Sequence, residues 1–249
     1  MKKAATAFFM AWGMFFAVPC PCRIWEERCR AGMLLCLPLI GALVGGLWAL
    51  AAWLLERAAC PSLLSAAILT LLPALLTGFL HLDGFMDCCD AILSRRDLEG
   101  RRRILKDSHC GSFAVICLVS VFLLEFALLA SAAVTGRLAC LVLIPVVSRL
   151  CSVLAICRLR PMPGSSYDGA FQTLLRPWHG RLTLGLLAAA CVLPPLLQGV
   201  PGLCCPAAAA GSLLAVADGR KQLGGMSGDI SGLGIVCGEL CGIAALTLL

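Results

Sequence analysis

The sequence predicts an all-α fold, a polytopic transmembrane helix bundle of about six to eight membrane segments. Residues 1–249 read as a single integral membrane domain. Composition is the first of three observations behind this. Sixty per cent of the residues are apolar, 14% are charged, and mean hydropathy is +0.95, too little polar surface to keep a chain of this length in water. Block length is the second. Ala31–Leu55, Ser62–Leu80, Gly111–Val134, Leu138–Cys157, Leu182–Leu203 and Ile230–Leu249 are each near the roughly 20 residues that cross a hydrocarbon core as helix. Leu203–Ala217 is a shorter, alanine-rich further candidate. Period-2 alternation is absent, which argues against barrel strands.

The third observation is where the basic residues fall. Arg23, Arg28 and Arg30 precede the first long block; Arg95, Arg96, Arg101, Arg102, Arg103 and Lys106 fill the next loop but one. Arg158, Arg160, Arg176 and Arg181 come next in that alternation, then Arg220 with Lys221, while the intervening loops hold only Arg57 and Arg137. Every second loop is basic, so those loops are expected on the cytoplasmic face of a bacterial or archaeal plasma (inner) membrane. The N-terminal part, 1–30, is expected as a retained apolar, interfacial segment. Ala4–Cys20 is hydrophobic but has basic residues on both sides and no A-x-A-like cleavage site after it.

The net charge of +6 suits loops held against an anionic leaflet or a phosphorylated substrate, and no aromatic or motif pattern supports nucleic acid binding. The seventeen cysteines are scattered through the spans and lack paired zinc spacing, so they read as small apolar fillers.

Polar residues cluster in two places, 81–110 and 218–229. In His81-Leu-Asp-Gly-Phe-Met-Asp-Cys-Cys-Asp90, the residues Asp83, Asp87 and Asp90 stand at i, i+4 and i+7, one face of a helix. Three like charges on one face repel, and an oxygen-only cation site, Mg²⁺ or Mn²⁺, would relieve them. The bland alternative is a solvated helix end. Downstream lie Arg103, Lys106, Asp107, Ser108 and His109. Arginine forks and a lysine suit a diphosphate. Asp107 is either an N-cap of the next span or a functional carboxylate. His81 is either a substrate contact or a bonded interfacial histidine. Gly224, Gly225 and Gly228, before Asp229, make a loop whose amides suit an anion. Glu125, Arg149 and Glu239 lie within spans, where charges pair or line a cavity; Arg149 and Glu239 are candidates to pair with each other, and Glu125 has no obvious partner.

The motifs resemble the cobalamin synthase family (adenosylcobinamide-GDP ribazoletransferase). His81–Asp90 is similar to H-[EL]-D-G-[LF]-x-D-x-x-D, Arg101–Gly111 to R-R-x-x-[IM]-[ML]-K-D-S-x-x-G, and Gly224–Asp229 to G-G-x-[TS]-G-D. Leu37-Pro-Leu-Ile-Gly41 and Ser148-Arg149 are weaker echoes. Ala91 stands where the family usually has glycine, and Phe16-Ala-Val-Pro19 lacks a threonine–arginine pair often found there. The resemblance implies that GDP-cobinamide reacts with α-ribazole or its 5′-phosphate to give adenosylcobalamin or its phosphate plus GMP. It implies Mg²⁺ on Asp83, Asp87 and Asp90, and Lys106, Asp107 and Asp229 as catalytic residues. Arg103, Ser108, His81, Gly224, Gly225 and Gly228 would then bind substrate. The lipid bilayer is the medium, and self-association into a homo-oligomer is left open. A membrane phosphotransferase of CDP-alcohol type is the nearer alternative, although its D-G-x-x-A-R motif is absent. A transporter using the intramembrane charges is the more distant one.

Overall fold

The computed structural model describes residues 2–131 and 134–249, and among these it is built from helices. In chain order they are α1 (Lys2–Phe15), α2 (Arg30–Leu35), α3 (Leu37–Arg57), α4 (Ser62–Leu76), α5 (Leu80–Leu93), α6 (Leu98–Ile104), α7 (Ser112–Ser131), α8 (Leu138–Arg158), α9 (Ala170–Leu174), α10 (Pro177–Gln198), α11 (Cys204–Leu223) and α12 (Gly228–Leu248). Six of them, α3, α7, α8, α10, α11 and α12, are long and apolar enough to span a membrane. The pair α4 and α5 makes a seventh crossing if taken as one broken span. The block predicted to reach Val134 is helical to Ser131, and residues 132–133 lie outside the described residues.

α8 is the central helix, with 72% of its apolar stretch buried inside the molecule against 17% for α7. Small residues let its neighbours approach. A β-carbon at Gly41 would sit 2.6 Å from the Pro145 carbonyl oxygen, and one at Gly45 2.7 Å from Val142 Cα, so α3 lies on α8 at backbone contact. α11 and α12 pair similarly, and Ser212 Oγ donates to the Gly234 carbonyl at 2.6 Å.

Several expected boundaries move. The first long block breaks at Cys36, where Pro38 restarts the helix as α3. The block predicted to run to Leu80 ends at Leu76, and the chain turns by 91° into α5. Gly78 and Phe79 take left-handed backbone there (φ +59° and +62°), a conformation that costs a phenylalanine free energy and that neighbouring packing must offset. The hinge is tied off by specific bonds. Pro73 cannot donate to the Leu69 carbonyl, and Trp48 Nε1 fills that vacancy at 2.8 Å. Thr77 Oγ1 donates to Pro73 O at 3.0 Å, and Ala17 N to Leu76 O at 2.7 Å. The N-terminal segment therefore forms a helix followed by a strap over the hinge, and α1 packs on α2 where Ala7 meets Gly32.

The polar stretches are also more helical than their composition implied. Most of 81–110 is α5 and α6, and Asp218–Leu223 completes α11, leaving only 224–227 as loop. In a folded bundle these residues take helix because tertiary packing supplies what propensity alone does not.

Candidate active site

The acidic face is assembled by two glycines. A β-carbon at Gly84 would lie 2.8 Å from Asp229 Cα, and one at Gly232 2.6 Å from the His81 carbonyl oxygen. Only residues without side chains permit α5 and α12 to cross this closely. The crossing sets Asp229 beside Asp83 and Asp87, which the sequence keeps far apart. Asp83 is exposed; Asp87 and Asp229 are half-buried. Asp83, Asp90 and Asp229 all lie near enough to Asp87 to repel its charge, and Asp83 acts on Asp229 as well. Ser227 caps α12, accepting from Ile230 N at 3.3 Å, and its hydroxyl donates to Asp229 Oδ2 at 3.2 Å.

Asp90 has a second occupation. Its carboxylate accepts from the amides of Gly111 and, at 3.1 Å, Ala114, so it caps the start of α7 from a neighbouring helix. The N-cap alternative for Asp107 therefore gives way. Asp107 instead accepts from His109 N at 3.1 Å and pairs with His109 Nδ1 at 2.6 Å. The His109 bonds hold its carboxyl below the usual carboxylate range.

The basic residues divide in a way the sequence did not show. Arg101 bonds the Gln222 side chain and its carbonyl, and Arg102 donates to Leu223 O at 2.9 Å and Gly224 O at 3.1 Å. These two cap the C-terminal carbonyls of α11. Arg103, Lys106 and Ser108 are exposed, and Arg103 has only a loose pairing with Glu99 at 3.8 Å. Gly224 ends α11 in left-handed backbone (φ +78°). Gly225 lets the chain touch Met162, where a β-carbon would lie 2.5 Å from Cα, while Gly228 opens into free space. Of the three glycines only Gly228 has room for a ligand beside it.

The segment 159–176 closes the ring. Met162 N donates to Met226 O at 2.8 Å and Met226 N to Arg160 O at 2.9 Å. Gly164 faces the Lys106 ammonium. Arg30 donates to Ser166 O at 3.1 Å and covers the Phe171 ring. All the predicted polar loops thus meet at one end of the bundle. The chain's single tyrosine, Tyr167, sits here, half-buried near Asp229. Burial, reinforced by the Asp229 charge, pushes its hydroxyl up to about 12, so at neutral pH it is a donor. Its uniqueness was the one sequence signal that could have flagged it.

His81 does not join this rim. It is buried and lines an inner cavity of about 40 Å³ with Glu125, Arg149 and Glu239. Arg149 and Glu239 form an ion pair, Ser148 Oγ donates to Glu239 Oε1 at 3.2 Å, and Arg149 Nη1 also donates to Pro145 O at 3.1 Å. The expected pairing of these two charges is present, and the cavity places Glu125 beside them. Its volume suits water, not a nucleotide.

Comparison with known proteins decides the lineage. The family model described as cobalamin-5-phosphate synthase matches residues 7–247. The chain belongs to this family. Among relatives of the cobalamin-5-phosphate synthase family, a Clostridium botulinum protein named adenosylcobinamide-GDP ribazoletransferase is 34% identical over 250 residues, covering 100% of this chain and 99% of the relative. Proteins of the same name from Halalkalibacterium halodurans and Syntrophobacter fumaroxidans are 34% and 38% identical, over 96% and 78% of this chain and 94% and 78% of theirs. No solved structure matches.

For a cobalamin-5-phosphate synthase the question is whether the acids fit a cation. Among the described residues, no three His, Cys, Asp or Glu side chains close into a metal cage. Asp83, Asp87 and Asp229 nevertheless offer oxygen alone and repel one another. Mg²⁺ commonly takes one or two carboxylates and leaves its other positions to water and substrate phosphates, so an incomplete protein shell fits it.

Proposed function

We infer that the chain joins GDP-activated adenosylcobinamide to α-ribazole, or to its 5′-phosphate, forming adenosylcobalamin or its phosphate and releasing GMP. The convergence of Asp83, Asp87 and Asp229 beside a basic rim carries this reading. A diphosphate is cleaved when the charge on the departing GMP is neutralised and the attacking ribazole oxygen is aligned with phosphorus. Asp83, Asp87 and Asp229 would hold Mg²⁺ (or Mn²⁺), with Asp90 adding negative charge behind them. The ion would supply charge neutralisation at the diphosphate.

The remaining work falls to side chains of the rim. Lys106 and Arg103 are exposed and, among the described residues, have no strong partner, so they are available to the diphosphate. Ser108 and Gly228 are both exposed and offer as hydrogen-bonding groups a hydroxyl and, at the N-terminus of α12, an amide. Asp107 or Asp229 accepts the proton of the attacking hydroxyl. Tyr167, protonated and near Asp229, can donate to a phosphate or ribose oxygen. The polar end faces the cytoplasm by the arginine bias, which also suits a protein of the plasma membrane.

A highly charged nucleotide will not shed its water to reach the inner cavity, so chemistry belongs at the surface. Incubation of purified protein with GDP-cobinamide, α-ribazole and Mg²⁺ should release GMP. Absence of GMP with either acceptor, together with solute movement in liposomes, would favour the transporter instead.

A further inference from the structure

A second basic site lies apart from the acidic rim. Where α8 ends and α10 begins, a pocket of about 620 Å³ is lined by Arg158, Arg176 and Arg181 with Gln172. All three arginines are exposed, and none pairs with a carboxylate among the described residues. Among the described residues, no acidic one lines the pocket. Gly180 makes the space, because a β-carbon there would strike Arg158 Nε at 2.7 Å. Positive-inside bias explains basic residues in this segment but not their gathering round one concavity.

An apolar groove of about 320 Å³ adjoins it. Leu154, Leu184, Leu213 and Val216 line this groove between α8, α10 and α11, and Arg158 lines both cavities. Arg220 stands at the groove's charged end. Leu184 and Leu213 are 47% and 39% exposed on helices long and apolar enough to span a membrane. Trp178, 48% exposed at the start of α10, is placed as interfacial aromatics are. Unpaired guanidiniums that run directly into an acyl-sized groove match a molecule with a phosphate at one end and hydrocarbon at the other.

We propose that the pocket and groove form a binding site for one anionic phospholipid, with its headgroup phosphate among Arg158, Arg176 and Arg181 and an acyl chain along Leu184, Leu213 and Val216. A free nucleotide or phosphate would use the arginines but leave the groove empty. The bound lipid ties the ends of α8, α10 and α11 together. It thereby steadies the segment 159–176, which hydrogen-bonds Met226 beside Asp229. The site depends on membrane residence and not on the transferase reading.

The test uses the full chain in a zwitterionic detergent, titrated with phosphatidylglycerol and phosphatidylcholine and read by native mass spectrometry. One phosphatidylglycerol should be retained in preference to phosphatidylcholine in the unaltered protein, a comparison that needs no variant. Arg158→Gln with Arg181→Gln should weaken that retention about 30-fold, from roughly one Arg-sized contribution for each charge removed. The corresponding lysine pair should keep most of it. Equal retention of the two lipids, or a glutamine pair that holds phosphatidylglycerol as the parent does, overturns the proposal. Displacement of the lipid by equimolar GDP or inorganic phosphate also overturns it, making the pocket a free-phosphate site.

Discussion

Gly84 on α5 lies so close to Asp229 on α12 that an added β-carbon would stand 2.8 Å from the aspartate's Cα. The neighbouring atom is backbone, so it cannot swing aside as a flexible side-chain end would. This contact, more than the acids themselves, determines that Asp229 stands beside Asp83 and Asp87.

Gly84→Ala should therefore lower GMP release strongly, with a stability loss of about 1–3 kcal/mol as the helices are forced apart. Gly46→Ala, where a β-carbon meets open space, is the control and should leave both nearly unchanged. Equal behaviour of the two variants in activity and thermal unfolding would show that the helix crossing does not matter.

The four aspartates should separate into two kinds. Asp83→Asn, Asp87→Asn and Asp229→Asn should cut turnover by orders of magnitude and raise the Mg²⁺ concentration required, with little change in thermal midpoint. Asp90→Ala should also destabilise, by roughly 0.5–2 kcal/mol, because the Gly111 and Ala114 amides lose their acceptor. Magnesium titration and thermal melts on all four variants distinguish these effects.

Arg102→Ala should cost about 1.5–3 kcal/mol, since a charged donor leaves the Leu223 and Gly224 carbonyls at the end of α11. Arg103→Ala should stay within about 0.5 kcal/mol, its pair with Glu99 being loose and exposed, and should raise KM for GDP-cobinamide instead. A thermal melt paired with steady-state kinetics reads both, and the reverse order would refute the division of labour between these neighbours.

A pH profile can tell whether Asp107 takes the proton. His109 holds the Asp107 carboxyl below its ordinary range, so any contribution of that bond to stability is present above the ordinary carboxylate pKa and fades as pH falls. His109→Ala removes the bond and lets the Asp107 pKa rise. If Asp107 is the base, the acid limb of the rate profile moves to higher pH. An unmoved limb excludes Asp107 as that base.

Inside the bundle, Glu239→Gln should destabilise by about 3–5 kcal/mol because Arg149 is left buried and unpaired. Arg149→Met combined with Glu239→Leu should recover much of that loss. Glu125→Gln should leave substantial GMP release. A Glu125→Gln protein that folds normally yet makes no GMP would contradict the surface location of the chemistry.

Sequence alone determined the membrane architecture, because a hydrocarbon solvent imposes length and composition on every span and so writes itself into apolar blocks. It also showed the acids of α5, since a helix of known period aligns Asp83, Asp87 and Asp90 without reference to the rest of the chain. The Arg149–Glu239 pairing was legible too, because buried charges must find partners. Only the tertiary structure decided where the chain turns between α4 and α5, since the hinge at Gly78–Phe79 relies on Trp48, Thr77 and Ala17 from elsewhere or across the bend. It alone moved His81 inward, gave Asp90 to the start of α7, and assigned Arg101 and Arg102 to the end of α11. The physical reason is the same in each case. Local periodicity fixes which face of a helix a residue occupies, but what that face meets depends on how closely two backbones approach, and here glycines at 84 and 232 set that distance.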